Sequence, residues 1–128
     1  MSLTNAFETS TLEYLLTTDS VTRPTAWYVG LFTSDPTDTG TAGTEVSGFD
    51  YARTSASFTV TTDTASNSAA IEFPAANGGN WGTVGWIGIM DAASGGNMII
   101  HSALTVAKAI NDGDVFRIPT GDLDVTAS

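Results

Sequence analysis

His101 followed by Ser102 is the pairing in this chain that most invites a chemical reading, because a base beside a hydroxyl is the start of a nucleophilic constellation. His101 is the sole histidine. In an extended segment neighbouring side chains point to opposite faces, so His101 is not placed to take the proton of Ser102. The chain has no cysteine and no G-x-S-x-G elbow to present a nucleophile. Among its 14 acids no pair announces the convergent carboxylates of a glycosidase, which must be held within roughly 5 to 10 Å across a cleft. The residues therefore predict a chain that is not an enzyme, with no catalytic residue and no cofactor.

Asp112, Asp114, Asp122 and Asp124, with Asn111, gather around two Gly-Asp steps and carry the oxygen ligands calcium prefers. The twelve-residue calcium loop with its closing Glu is missing, and Asp or Asn beside Gly is what a tight turn requires anyway. They read as turn residues, with no metal site assigned. Five aromatics, Trp27, Tyr28, Tyr51, Trp81 and Trp86, raise the question of a stacking platform for sugars. Trp27 and Trp86 lie in apolar runs and read as core, whereas Trp81 follows Ala76-Asn77-Gly78-Gly79-Asn80 and is expected at a loop edge, as the candidate for ligand contact. Arg53 and Arg117 read as ion-pair partners within the chain, with a subunit boundary as the other role open to them.

These side chains need a frame, and the hydropathy pattern supplies one. Seven segments carry strand signals: 26–32, 51–60, 69–73, 83–90, 98–104, 114–118 and 123–126, separated by turn-rich pieces. In Ala26 to Phe32 both alternating sets are apolar or small, so neither face of that strand meets bulk water. The same holds for Thr83 to Met90. The two are expected as central strands. Gly30, Gly85 and Gly88 leave room there for a large ring, expected from Trp81 or Trp86. Asp91 to Asn97 turns Thr83 to Leu104 into a hairpin, and a second hairpin is expected at Pro119 to Asp122. The loop Ser34 to Gly43 is expected to be exposed and mobile. The predicted core is Trp27, Val29, Leu31, Trp86, Ile87, Ile89, Ile99, Phe116 and Leu123.

Residues 1–18 are expected to form the one helix. Leu3, Phe7, Thr11 and Leu15 fall four apart, Leu12 and Leu16 widen the stripe, and Asn5 precedes Glu8 by three as in a capping box. A helix so short is marginal alone, so the stripe Leu3, Phe7, Leu12, Leu15 and Leu16 must dock on the domain's own sheet or on a neighbouring subunit. With a flexible Thr17 to Thr22 segment behind it, the second option makes the chain a homo-oligomer. The whole reads as an all-β protein: residues 1–128 as a single β-sandwich, open to a jelly-roll arrangement, with a short N-terminal α-helix.

Composition narrows the partners. Formal net charge is −10, with four cations, Arg23, Arg53, Lys108 and Arg117, too few to neutralise a duplex or to form a polybasic membrane patch. No nucleic acid and no membrane are expected. Threonine and serine number 21 and 12, a hydroxyl excess that suits the solvent faces of strands. The absence of cysteine makes stability indifferent to redox compartment. The N-terminus lacks a basic region before an apolar core, so a soluble, unexported product is expected.

Several motifs recur together: Y-V-G-L-F-T-x-D-P at Tyr28 to Pro36, G-x-x-Y-A-R at Gly48 to Arg53, W-G-T-V at Trp81 to Val84, D-A-A-S-G-G-N at Asp91 to Asn97, and the paired Gly-Asp steps. From Asn5 to Val125 the chain resembles a family of small virion structural proteins of tailed bacteriophages, of the phage tail-fibre type. The resemblance implies a virion component made in the host cytoplasm, displayed on the particle as a tail-fibre-type or capsid-decorating protein that binds other virion proteins. A receptor-binding module recognising host glycans through Ser34 to Gly43 and Ala76 to Gly82 is the alternative it allows.

Overall fold

The computed structural model describes residues 2–127; Met1 and Ser128, the ends of the span expected as one sandwich, lie outside them. In chain order the elements are β1 (Ser2–Leu3), α1 (Asn5–Leu16), β2 (Tyr28–Phe32), β3 (Thr54–Ser55), β4 (Phe58–Thr61), β5 (Thr64–Asn67), β6 (Ile71–Glu72), β7 (Gly82–Met90), β8 (Met98–Ile110), β9 (Arg117–Ile118) and β10 (Asp124–Thr126). They form a five-stranded sheet in the order β1-β8-β7-β2-β3, a three-stranded sheet β10-β5-β4 and a pair β6-β9. All pairings are antiparallel. The fold is all-β and sandwich-like, as expected, with one short helix.

The large sheet is apolar on both faces, which is why β2 and β7 carry no alternating polar residues. On one face Val29, Leu31, Ile87 and Ile89 pack with Ile71, Phe73, Phe116, Ile118 and Leu123 from the smaller sheets and their connections. On the other, Phe32, Met90 and Met98 form a second cluster flanked by Tyr28 and Trp86. Gly88 makes that cluster possible: a Cβ there would lie 2.5 Å from Met98 Cε and 3.1 Å from Phe32 Cε1. Phe32 and Met98, not a tryptophan, fill the space above it.

Strict alternation would put Val84 on the face of Trp86. The structure places it in the main core with Ile87 and Ile89, because pairing steps from Val84↔Lys108 to Trp86↔Ala103, an irregularity around Gly85 that switches faces. The hairpin β7–β8 is present, with Asp91 accepting the Asn97 amide across its turn. No hairpin forms at Pro119 to Asp122. There β9 pairs with β6 and β10 with β5, so the turn connects two different sheets. Buried Asn67 directs that crossing: its amide donates to the Ala69 and Pro119 carbonyls at 2.9 Å each, and its side-chain oxygen accepts the Leu123 amide at 2.9 Å.

Of the predicted core, seven residues are buried and the two tryptophans are not. Trp27 precedes β2 and is 38% exposed, while Trp86 is partly buried on the outer cluster. Trp81 is instead the tryptophan of the core, 6% exposed, T-stacked on Tyr51 with ring centroids 5.3 Å apart. The loop Ser34 to Gly43 is mostly exposed but folded on itself, with Asp35 accepting the Thr37 amide, Pro36 O accepting that of Ala42 and Pro36 itself buried.

Candidate functional site

The helix is where sequence pattern and packing part company. It spans Asn5–Leu16 rather than 1–18, because Ser2 and Leu3 are held in β1 against His101 and Ile100 of β8. Its N-cap is Thr4, not Asn5, and Thr4 gives the helix no side-chain cap: its buried hydroxyl donates to Met98 O at 2.7 Å instead. The Thr4 amide donates to Ile99 O and the Asn5 amide to Asp38 O. Two bonds thus fasten the base of the helix to β8 and a third ties it to the 34–43 loop. At the other end Thr17 donates its amide and its hydroxyl to Glu13 O, which closes the last turn.

Between these ends no α1 residue is buried. Thr9, Ser10 and Thr11 bond back to the carbonyls four residues earlier, and such back-bonding adds little to a twelve-residue helix. The predicted stripe divides. Leu3 belongs to β1 and Phe7 leans on the main core, so both are partly covered. Leu12, Leu15 and Leu16 stand out at 59, 67 and 77% exposure, and Tyr14, which the stripe left out, joins them at 65%.

Beside the helix base the sandwich is open. Arg23, Trp27, Phe58, Val60, Ile99 and Val125 line a hollow of about 400 Å³ between the large sheet and the β10-β5-β4 sheet. It continues past Ile100 into a second hollow of about 340 Å³ that reaches Leu3 and Asp63. Trp27 supplies the aromatic wall of this cleft, which explains its exposure.

Along the β2–β3 side of the large sheet, polar bonds close the structure. Tyr51 donates its hydroxyl to Glu45 Oε2 at 2.7 Å and accepts the Leu31 amide at 3.0 Å. Arg53 forks onto both Glu45 oxygens at 2.8 Å and reaches Ala92 O and Gly95 O at 2.9 and 2.8 Å. Burial, followed by the Glu45 hydrogen bond, pushes the Tyr51 phenol well above its ordinary range, and the bond to Glu45 raises Arg53 further. Arg53 is therefore an internal clasp joining the 45–53 segment to the β7–β8 turn. Arg117 lies 3.9 Å from Glu72 across the β6–β9 pair, both exposed, a geometry of little energetic consequence.

Trp81 does not offer a ring to a ligand. Its indole Nε1 donates to Phe49 O at 3.0 Å and its ring fills the core, because the Trp81 amide is bonded to Ile110 O and pulls the residue into the sheet. The exposed aromatic beside it is Phe49, 47% exposed, whose left-handed backbone, φ 52°, followed by Asp50 at 63°, is uncommon for such residues. Asn77 donates its side-chain amide to Asp50, Gly78 donates to Asp112 and Asp112 donates its amide to Asn80, so these acids organise turns. Asp114 accepts the Asn111 amide and Asp124 bonds the Ser66 hydroxyl. No three metal-ligating side chains converge among the described residues.

His101 points away from Ser102 and bonds Asp38 Oδ1 through Nε2 at 2.9 Å, while Ser102 donates to Ala103 O. No helix among the described residues is long and apolar enough to cross a membrane. Residues 2–126 match the family model described as Podophage GP4 fiber I protein gp80. No curated protein matches the chain.

Proposed function

The chain belongs to the podophage GP4 fiber I protein gp80 family, and is thus a phage fibre-type protein and virion component; from that premise we propose that it acts as a non-enzymatic structural subunit whose helix α1 joins it to other virion proteins and to copies of itself. The observation that carries this reading is α1. A short helix fastened to the sheet at its base leaves Leu12, Tyr14, Leu15 and Leu16 more than half exposed, with Tyr14 and Leu15 bordering only a shallow hollow with Val21, Arg23 and Pro24. On a particle the same side chains become the buried centre of a contact. The acidic surface, −10 overall, disfavours nucleic acid and anionic membranes as partners.

The test is a Leu12→Glu/Leu16→Glu variant. Both positions are exposed, so the fold is retained, and circular dichroism with thermal melting verifies it. Light scattering on the purified chain and its recovery with purified particles are the readouts. Loss of self-association and of particle incorporation is the expected result. A variant that assembles and incorporates like the unmodified chain overturns the reading.

One observation favours a second reading, recognition of host glycans. Phe49, 47% exposed on left-handed backbone, lays its ring over Gly79 beside Asp50 and Asn77 and leaves an aromatic surface with polar neighbours of the kind that meets a sugar ring. It replaces Trp81 as the residue for that role. Because Trp81 bonds Phe49 O, its fluorescence reports there: host polysaccharide should shift it in the unmodified chain and not in Phe49→Ala.

A further inference from the structure

We propose that Asn77 is a modification site: it loses its side-chain amide to water through a cyclic imide, and Asp112 and Asp50 hold that reaction back in the folded chain. The inference is independent of the structural-subunit reading above. Asparagine is among the thermolabile residues, and of the six in this chain Asn77 alone precedes glycine. The backbone nitrogen that follows is the attacking atom, and Gly78 has no side chain to shield it. Both residues are exposed. The turn also depends on this dipeptide, because Gly78 sits at φ 88°, in the left-handed region, and Asn77 supplies a donor to Asp50.

The chemistry needs only water. The Gly78 nitrogen, its proton taken by hydroxide, bonds to Asn77 Cγ; the Cγ–Nδ2 bond breaks and the side-chain nitrogen leaves as ammonia, with a proton from water. A further water opens the imide at either carbonyl and leaves aspartate or isoaspartate at position 77. The fold opposes the first step at both reacting groups. The Gly78 amide donates to Asp112 Oδ1 at 3.0 Å, and a carboxylate is far too weak a base to strip an amide proton, so the bond holds the proton and ties the nitrogen to the neighbouring turn. Asn77 Nδ2 donates to Asp50 Oδ2 at 3.1 Å, which fixes the carboxamide. Backbone bonds strap the same turn: Asn77 N to Phe49 O at 3.2 Å and Gly113 N to Ala76 O at 2.7 Å. Attack therefore requires a local opening of this strap. The product sets a carboxylate at 77 against Asp50 where a donor stood, a like-charge contact that frees the turn from the 49–50 segment.

The test follows the conversion by peptide mass spectrometry, as the mass gained at residue 77 when NH2 becomes OH, during incubation at neutral pH. Four samples are compared: the folded chain, the chain in denaturant, Asp112→Ala and Leu31→Ala. Asp112 is exposed, so its truncation leaves the core intact, while Leu31→Ala lowers global stability without touching the turn. In denaturant, position 77 should convert ahead of every other asparagine, and folding should slow it. Asp112→Ala should speed the folded chain by roughly tenfold or more, the weight of a hydrogen bond to a charged group. Conversion at another asparagine ahead of Asn77 in the unfolded chain overturns the proposal. So does a rate in Asp112→Ala that is unchanged, or slowed as it would be were Asp112 the base. An equal acceleration in Leu31→Ala overturns it as well, because the route would then be global unfolding rather than release of the Gly78 amide.

Discussion

Two regions of this sandwich, a closed one around Tyr51, Trp81 and Arg53 and an open one around α1 and Trp27, are built from the same materials and finished differently. In the closed region aromatic rings stack at 5 to 6 Å and the polar groups between them are matched: the Tyr51 hydroxyl gives and accepts a bond, and Arg53 spends its fork on Glu45 and two carbonyls. In the open region leucines face water and the sheets stand apart around Trp27 and Val60. Burial of apolar surface is the main stabilising term, so the first region holds the fold together and the second leaves apolar surface in water. For the structural-subunit role proposed above, this division would let a contact surface change without unfolding the core.

The contrast is testable first by cutting into the closed region. Leu31 is fully buried on β2, and Leu31→Ala should cost about 2 to 5 kcal/mol in chemical denaturation, as large-to-small core substitutions do. Leu16→Ala, in the open region, should move stability by less than about 0.5 kcal/mol. Comparable losses from the two would mean that α1 is part of the folding core. Next in size is Arg53→Ala, which leaves Glu45 and the Ala92 and Gly95 carbonyls without their donor; a loss of about 2 to 3 kcal/mol is expected. A surface-like loss below about 0.5 kcal/mol would show the clasp to be ornamental.

The closed region also has an alkaline limit. The Tyr51 phenol is pushed upward from its ordinary value of 10.0, so the folded state holds its proton more tightly than the unfolded chain does. A raised value stabilises below the unfolded value, and that stability is lost as pH climbs from 10 toward the folded value. The melting temperature should fall above about pH 10 with a steepness that Tyr51→Phe reduces, at the expense of about 1 to 2 kcal/mol at neutral pH for the lost bonds to Glu45 and Leu31. An identical alkaline profile in the variant would assign the limit to another group.

The closed region was largely legible in the sequence and the open region was not, for a physical reason. Runs such as Val29, Leu31, Ile87 and Ile89 advertise burial on a strand, and the structure buries them. Thr64–Asn67 carries no large apolar residue, so nothing local distinguishes a strand from a turn; its pairing is imposed by β4, β10 and the Asn67 bonds. Trp27 and Trp81 exchanged their expected places because identity alone cannot say which tryptophan meets the core: Trp81 is drawn in by Ile110 O and Phe49 O, while Trp27 sits one residue short of β2. The helix stripe was readable as apolar, but not that the fold would leave Leu12, Leu15 and Leu16 exposed, and Leu3 was misplaced because a two-residue strand is set entirely by its neighbour β8.

A smaller effect than those of Leu31, Arg53 and Tyr51 is expected at the base of the helix. Thr4 is buried there, joined to Met98 by its hydroxyl and to Ile99 by its amide, while its carbonyl accepts the Phe7 and Glu8 amides that begin α1. Thr4→Val preserves shape and removes only the hydroxyl bond, leaving Met98 O with one partner fewer, so stability should fall by about 1 kcal/mol. The more informative readout is local. If the hydroxyl is what holds the helix in place, amide exchange should accelerate in α1 and in β1 while the amides of β2 and β7 keep their protection. Uniform acceleration across all four would show that Thr4 serves the core as a whole. Unchanged exchange in α1 would mean that the backbone bonds of Thr4 and Asn5 suffice to aim the helix.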